Sequence, residues 1–161
     1  MSELRGRGAA RAVADLAAGL VAASVEIAAS PERVFRALAS DAIVDWWGRP
    51  GVFETAEWSG DVRVGGRWRA SGLARGKPWA LEGEYLKVDA PRELVHTWGE
   101  PGSAETPSVV TYVLEEVSGG TRLTLRHVGL ASRDSCMGAG MGWEACLHNL
   151  ARDLGALNDE P

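Results

Sequence analysis

Two histidines stand on apolar strand faces, and they are the side chains of this sequence best placed to move a proton or anchor a polar group. His96 shares the parity of Leu94 and Trp98, and His127 that of Leu123 and Leu125. Histidine titrates nearest neutrality, so two of them in an aromatic pocket would serve as polar anchors or as an acid and a base. The third histidine, His148, falls off the apolar stripe of the last helix and reads as exposed. Other reactive types are arranged less suggestively. Glu82 and Glu84 lie two apart on one strand face, a spacing shared by paired catalytic carboxylates and by ordinary solvated strands. Cys136 and Cys146 match no zinc spacing; Cys136 reads as a loop thiol and Cys146 as core. Ser135 and Cys136 have no histidine at a triad-like place. Gly65-Gly66-Arg67 and Gly119-Gly120 precede no helix, so neither is a phosphate loop. No catalytic constellation, metal site or cofactor motif is expected.

Aromatic residues carry the stronger signal. Seven tryptophans accompany only two phenylalanines and two tyrosines. Five of them fall in short tags: Asp45-Trp46-Trp47-Gly48, Gly65-Gly66-Arg67-Trp68, Thr97-Trp98-Gly99 and Gly142-Trp143-Glu144. Each is large and carries one N–H that needs a partner when buried. So many imply either a wide interior or the wall of a pocket for an apolar ligand. The candidate lining is Trp47, Trp68, Trp79, Tyr85, His96, Trp98, Tyr112, His127 and Trp143. Trp46 and Trp47 are adjacent and cannot share a helix face; one is expected inside, the other at a cavity mouth or a partner surface.

The elements that would position these residues follow from periodicity. Val21, Ala23, Val25 and Ile27 alternate with small or polar residues, a half-buried strand. Ser30-Pro31-Glu32 starts a helix with a cap, a first-turn proline and a favourable charge. A second short helix fits residues 41–47. From there to Val128 six segments read as strands: Phe53–Ser59, Gly66–Gly72, Trp79–Val88, Glu93–Trp98, Ser108–Val117 and Thr121–Val128. The links are short, which makes neighbours antiparallel. Trp143, Cys146, Leu147, Leu150, Leu154 and Leu157 then trace one face of a long helix, whose firm start is expected near Gly142. Residues 1–19 read as a flexible N-terminal arm, 20–157 as one domain and 158–161 as a tail. The class is α+β, a curved antiparallel sheet of six or seven strands around the C-terminal helix.

Composition narrows the partners. The chain has 161 residues and a formal net charge of −5. Nucleic acid selects clustered positive charge; here the bases are scattered apart from Arg5, Arg7 and Arg11, so no nucleic-acid partner is expected. No apolar run is long enough to span a bilayer, and two cysteines are too few for a disulfide scaffold. A cytoplasmic protein with no membrane partner is expected.

Several motifs in order resemble a known family. They run from Val25-Glu26-Ile27-Ala28-Ala29-Ser30-Pro31-Glu32-Arg33-Val34-Phe35 through Trp46-Trp47-Gly48, Asp61-Val62-Arg63-Val64-Gly65-Gly66-Arg67-Trp68 and Gly83-Glu84-Tyr85-Leu86. Leu94 to Trp98, Gly120 to His127 and Gly142-Trp143-Glu144 complete them. In these the chain resembles the activator-of-heat-shock-protein-ATPase-homologue-like (AHSA-like) proteins of the START-related, or SRPBCC, helix-grip superfamily. The resemblance covers about residues 20–157. It implies a sheet gripping a helix with an internal cavity, and no particular reaction. Where such proteins usually carry an aromatic residue before Thr97-Trp98, this chain has His96. The expected function is binding of a small apolar or aromatic molecule between sheet and helix. The alternatives are a cyclase-, dehydratase- or hydrolase-like enzyme using His96 or His127, and an interaction module or homodimer contacting through Trp46 or Trp47 and the N-terminal arm.

Overall fold

The structure, a computed structural model, describes residues 9–158, with side chains to residue 155. Strands β1 (Arg11–Asp15) and β2 (Leu20–Ile27) come first, then helices α1 (Pro31–Leu38) and α2 (Ile43–Trp46). Seven strands follow: β3 (Gly48–Arg49), β4 (Phe53–Gly60), β5 (Arg67–Ala74), β6 (Lys77–Asp89), β7 (Glu93–Trp98), β8 (Ser108–Val117) and β9 (Gly120–Val128). Helix α3 (Arg133–Asn158) ends the described chain. All nine strands form one antiparallel sheet in the order β1-β2-β9-β8-β7-β6-β5-β4-β3.

The class is the α+β helix grip that the sequence implies, with nine strands instead of six or seven. The two additions are β1 and the two-residue β3. β1 lies inside the stretch read as an arm, whose first eight residues are outside those described. Its alanines give little β signal, because small side chains pack weakly on a pleated surface. Pairing with β2 holds it, and Ala12 N–H donates to Glu144 Oε2 at 3.0 Å, so helix α3 covers this free edge.

Helix α1 forms as its residues dictate. Ser30 Oγ accepts from Arg33 N–H at 3.3 Å, Pro31 stands in the first turn, and Val34, Phe35, Ala37 and Leu38 are buried. Helix α3 begins nine residues before the expected Gly142. Ser132 Oγ accepts from Ser135 N–H at 3.0 Å and so caps the helix. Gly138, Gly140 and Gly142 are interior helical positions, not a loosened entry. Cys136, expected in a loop, is also helical and fully buried, its thiol within reach of the Asp15 and Leu20 carbonyls. Leu157 of the expected stripe is outside the described side chains. The others, Trp143, Cys146, Leu147 and Leu150, are buried, and Leu154 packs against them.

Helix α3 bridges the two edges of the curled sheet. Its backbone packs mainly on β1 and β2 at one edge, and on β3 and α2 at the other. The central strands curve away, so only large side chains fill the interior between them and the helix. That distance explains the tryptophan content. The glycines set how closely each part of α3 approaches. A Cβ at Gly140 would sit 3.4 Å from Ala14 Cβ and 3.9 Å from Val21 Cγ2, against the first two strands. One at Gly138 would meet nothing within 4 Å. Gly138→Ala should therefore stabilise the fold by about 0.5–1 kcal/mol through helix propensity. Gly140→Leu should destabilise it by about 1–3 kcal/mol through overpacking. Urea denaturation of the two variants beside the parent checks both signs.

Candidate functional site

The interior has a packed floor and a hollow mouth. Trp68 on β5, Tyr85 on β6, His96 on β7 and Tyr112 on β8 form the floor, and all four are buried. His96 is the hub: its ring centroid lies 5.1 Å from Trp68, 5.9 Å from Tyr85 and 5.9 Å from Tyr112. The arrangement needs Gly83, because a Cβ there would collide with the Thr97 carbonyl and the Trp68 indole nitrogen. Through that gap Trp68 Nε1–H donates to Thr97 O at 3.2 Å, and His96 Nδ1–H donates to the same oxygen at 2.9 Å. A carbonyl only accepts, so Nδ1 is the protonated nitrogen of His96.

Above the floor lies a cavity of about 640 Å³. Its inner wall is Trp47, Trp79, Trp98, His127 and Trp143, with Phe53 and Leu81. Trp98 stands at the centre of this wall, its ring 5.1 Å from Trp47, 5.2 Å from His127 and 5.4 Å from Trp143. Helix α3 contributes Ser135, Gly138, Ala139, Gly142, Trp143 and Cys146, one helical face in which four of the six are small. The hollow exists because that face is thin. The linker between β7 and β8 supplies the rim, with Glu100, Ser103 and Glu105 exposed.

Of the nine residues singled out from the sequence, Trp47, Trp79, Trp98, His127 and Trp143 line the cavity. Trp68, Tyr85, His96 and Tyr112 lie beneath it in the packed floor and do not. Trp46 and Trp47 are both buried, at 2% and 4% exposure, so neither ring is offered to a partner at the surface. Trp46 Nε1–H donates to Ala37 O at 2.9 Å. Sequence reasoning passed over Ser108, Gly138, Gly142 and the rim glutamates. Ser108 shares the inward parity of Val110, Tyr112 and Leu114, a signal that was available. The glycines gave one too, had they been read as a helical face.

One hydrogen-bonded chain stiffens the wall. Trp143 Nε1–H donates to His127 Nδ1 at 3.0 Å. The other ring nitrogen, Nε2, lies 2.7 Å from Ser108 Oγ, which donates to Trp98 O at 3.1 Å. An indole N–H only donates, so His127 Nδ1 is bare and Nε2 carries the proton. His127 thus donates to Ser108. It is the wrong tautomer to take the Ser108 proton, which a serine nucleophile would require. Burial pushes His96 down to about 4, against the Thr97 hydrogen bond. Burial, with the neighbouring His96, pushes His127 down to about 4 as well. Burial likewise raises the Tyr85 and Tyr112 phenols, and pushes the Cys146 thiol up to about 12. The site at neutral pH is uncharged on its inner wall and holds no thiolate at Cys146. Among the described residues no three histidine, cysteine or acidic side chains gather to hold a metal, and no helix is long and apolar enough to cross a membrane.

Comparison with known proteins places this architecture. The chain matches the family model described as Activator of Hsp90 ATPase homolog 1-like protein over residues 28–155. A solved structure from Chromobacterium violaceum is 25% identical, with a TM-score of 0.75 over 85% of this chain and 97% of that one. A Mycobacterium smegmatis protein is also 25% identical, at a TM-score of 0.75, covering 91% and 97%. An AHSA1 protein from Silicibacter pomeroyi is 27% identical, at 0.70, covering 86% and 98%. No curated protein matches.

The two depressed histidines make stability depend on pH with a definite sign. Each binds a proton more readily unfolded, near 6.5, than folded, near 4. Their contribution is intact above about pH 6.5 and declines as pH falls toward 4, by about 3 kcal/mol per histidine. Urea midpoints between pH 7.5 and 4.5 should show the decline, and His96→Phe should remove about half of it. An undiminished decline in His96→Phe would contradict the assignment.

Proposed function

The chain belongs to the Activator of Hsp90 ATPase homolog 1-like family, and on that premise we propose that it binds a small apolar or aromatic molecule in the cavity between sheet and helix. The observation carrying this reading is the 640 Å³ hollow walled by Trp47, Trp79, Trp98 and Trp143. Close-packed interiors hold few voids larger than a water. An aromatic-walled space of this size, reached from the surface, has the dimensions of a ligand pocket.

Two features support the same reading. The chain from Trp143 through His127 and Ser108 to the Trp98 carbonyl fixes the wall before any ligand arrives, which lowers the ordering cost of binding. The Trp79 indole N–H is out of solvent and has no hydrogen-bond partner. Closed to solvent, that N–H does not face the hollow, and what Trp79 offers a ligand there is its apolar ring. The histidine tautomer and the uncharged inner wall favour holding over transforming. A cytoplasmic location belongs to this reading; both cysteines are free buried thiols, which suits a reducing compartment.

A bound ring hiding ~200 Å² would gain on the order of 5 kcal/mol before ordering costs, which sets an affinity of roughly 200 µM or weaker. Tryptophan fluorescence titrated with neutral naphthalene and indole derivatives should saturate in that range. Gly142→Leu is the matched control. Its Cβ would make only an ordinary contact, 3.8 Å from Phe53 Cε1, and the rest of the leucine would occupy the hollow. The variant should keep the fold and weaken binding at least ~tenfold. Undiminished binding to Gly142→Leu would place the ligand elsewhere, and a flat response from the parent would end the proposal.

A further inference from the structure

The charges around the cavity have one sign. Among the described residues its lining includes two carboxylates, Glu100 and Glu105, and no lysine or arginine. Neither carboxylate forms an ion pair among the described residues. The linker that bears them is ordered by its own hydrogen bonds: Ser103 N–H donates to Glu100 O at 3.1 Å, and Glu105 N–H to Ser103 Oγ at 3.1 Å. Both acids therefore stand at the mouth with no countercharge among the described residues, directly outside a wall of tryptophan rings.

This combination discriminates between ligands of equal shape. An anionic group carried into the hollow would find no cation, and burying an unpaired charge is costly. Two like charges at the entrance add repulsion. A cationic group meets the reverse. It stays near two free carboxylates at the solvent edge, while tryptophan faces attract any part of it that enters. The whole chain, at −5, attracts cations at long range as well. We infer that the cavity takes aromatic molecules bearing an amine or another cationic group and excludes aromatic carboxylates and phosphates, with Glu100 and Glu105 as the selecting residues. The inference rests on the binding reading above and specifies its ligand class.

Three probes of one ring size test it by calorimetry at pH 7.4 and low salt: 1-naphthylmethylamine, 1-naphthalenemethanol and 1-naphthoic acid. The amine should bind at least roughly tenfold tighter than the acid, with the alcohol between them. In the Glu100→Gln/Glu105→Gln double variant the ratio of amine to acid affinity should fall by at least about threefold, while the alcohol keeps its affinity; what remains of the ratio belongs to the tryptophan faces and the net charge. Acid binding as tight as amine binding in the parent, or a ratio unchanged by the double substitution, overturns the charge selection. The alcohol separates the two levels of the account. If it binds without any amine preference, the cavity reading stands and this inference falls; if none of the three binds, the cavity reading fails and takes the inference with it.

Discussion

Helix α3 must span a sheet that is wider than the helix is thick. It rests on the first two strands at one edge and on β3 at the other, and the central strands bow away from it. Every other feature of the interior answers this geometry. Ordinary aliphatic side chains would leave voids, so the space is crossed by rings: Trp68, Tyr85, His96, Trp98 and Tyr112 from the sheet, Trp47 from the C-cap of α2, and Trp143 from the helix itself. Trp47 joins both sides, with ring centroids 5.7 Å from Trp68, 5.1 Å from Trp98 and 6.2 Å from Trp143. Aromatic pairs at such distances and angles gain on the order of 1 kcal/mol beyond their burial. Where α3 carries Leu147 and Leu150 the interior closes. Where it carries Ser135, Gly138, Ala139 and Gly142 there is too little side chain to fill it, and the cavity is what is left.

Rings this large bring polar atoms with them, and how those atoms are satisfied sets the site's chemical character. Two carbonyls, Thr97 O and Trp98 O, absorb the donors of His96, Trp68 and Ser108. Each histidine is held neutral by burial and confined to one tautomer by a partner that can act in only one direction. A base waiting for a substrate would need a bare nitrogen facing the ligand; His127 instead spends Nδ1 on Trp143 and Nε2 on Ser108. The inner wall is therefore a stiff, neutral, aromatic surface, and formal charge is confined to the rim. On the proposed reading, such a surface selects by shape and by the charge at its entrance.

Much of this was legible in the residues. Alternation placed β2 and β4 to β9 within a few residues, and Ser30-Pro31-Glu32 marked α1 by local chemistry alone. Parity put His96, Tyr112 and His127 inward correctly. What parity cannot supply is depth. His96 and Trp98 share a face two residues apart, yet one lies in the floor and the other lines the hollow, because the curl of the sheet tilts the strand relative to the helix. The start of α3 was hidden for a different reason. Three glycines in five residues read as a break, since each weakens a helix, and only the packing of this helix on β1 and β2, closest at Gly140, shows why it continues through them. Strand β1 was likewise invisible, its alanines being small enough to fit the helix and too small to announce a strand.

The central claim is that the thin half of α3 leaves real space beside Trp98 and Trp143. A crystal structure of the protein soaked with 1-naphthalenemethanol measures this most directly. The account predicts a ring against Trp98 and Trp143, over Gly142, with the Trp143–His127–Ser108 chain unbroken. Phe53 and Trp143 found turned into that space, leaving no room and no bound ring, would contradict it.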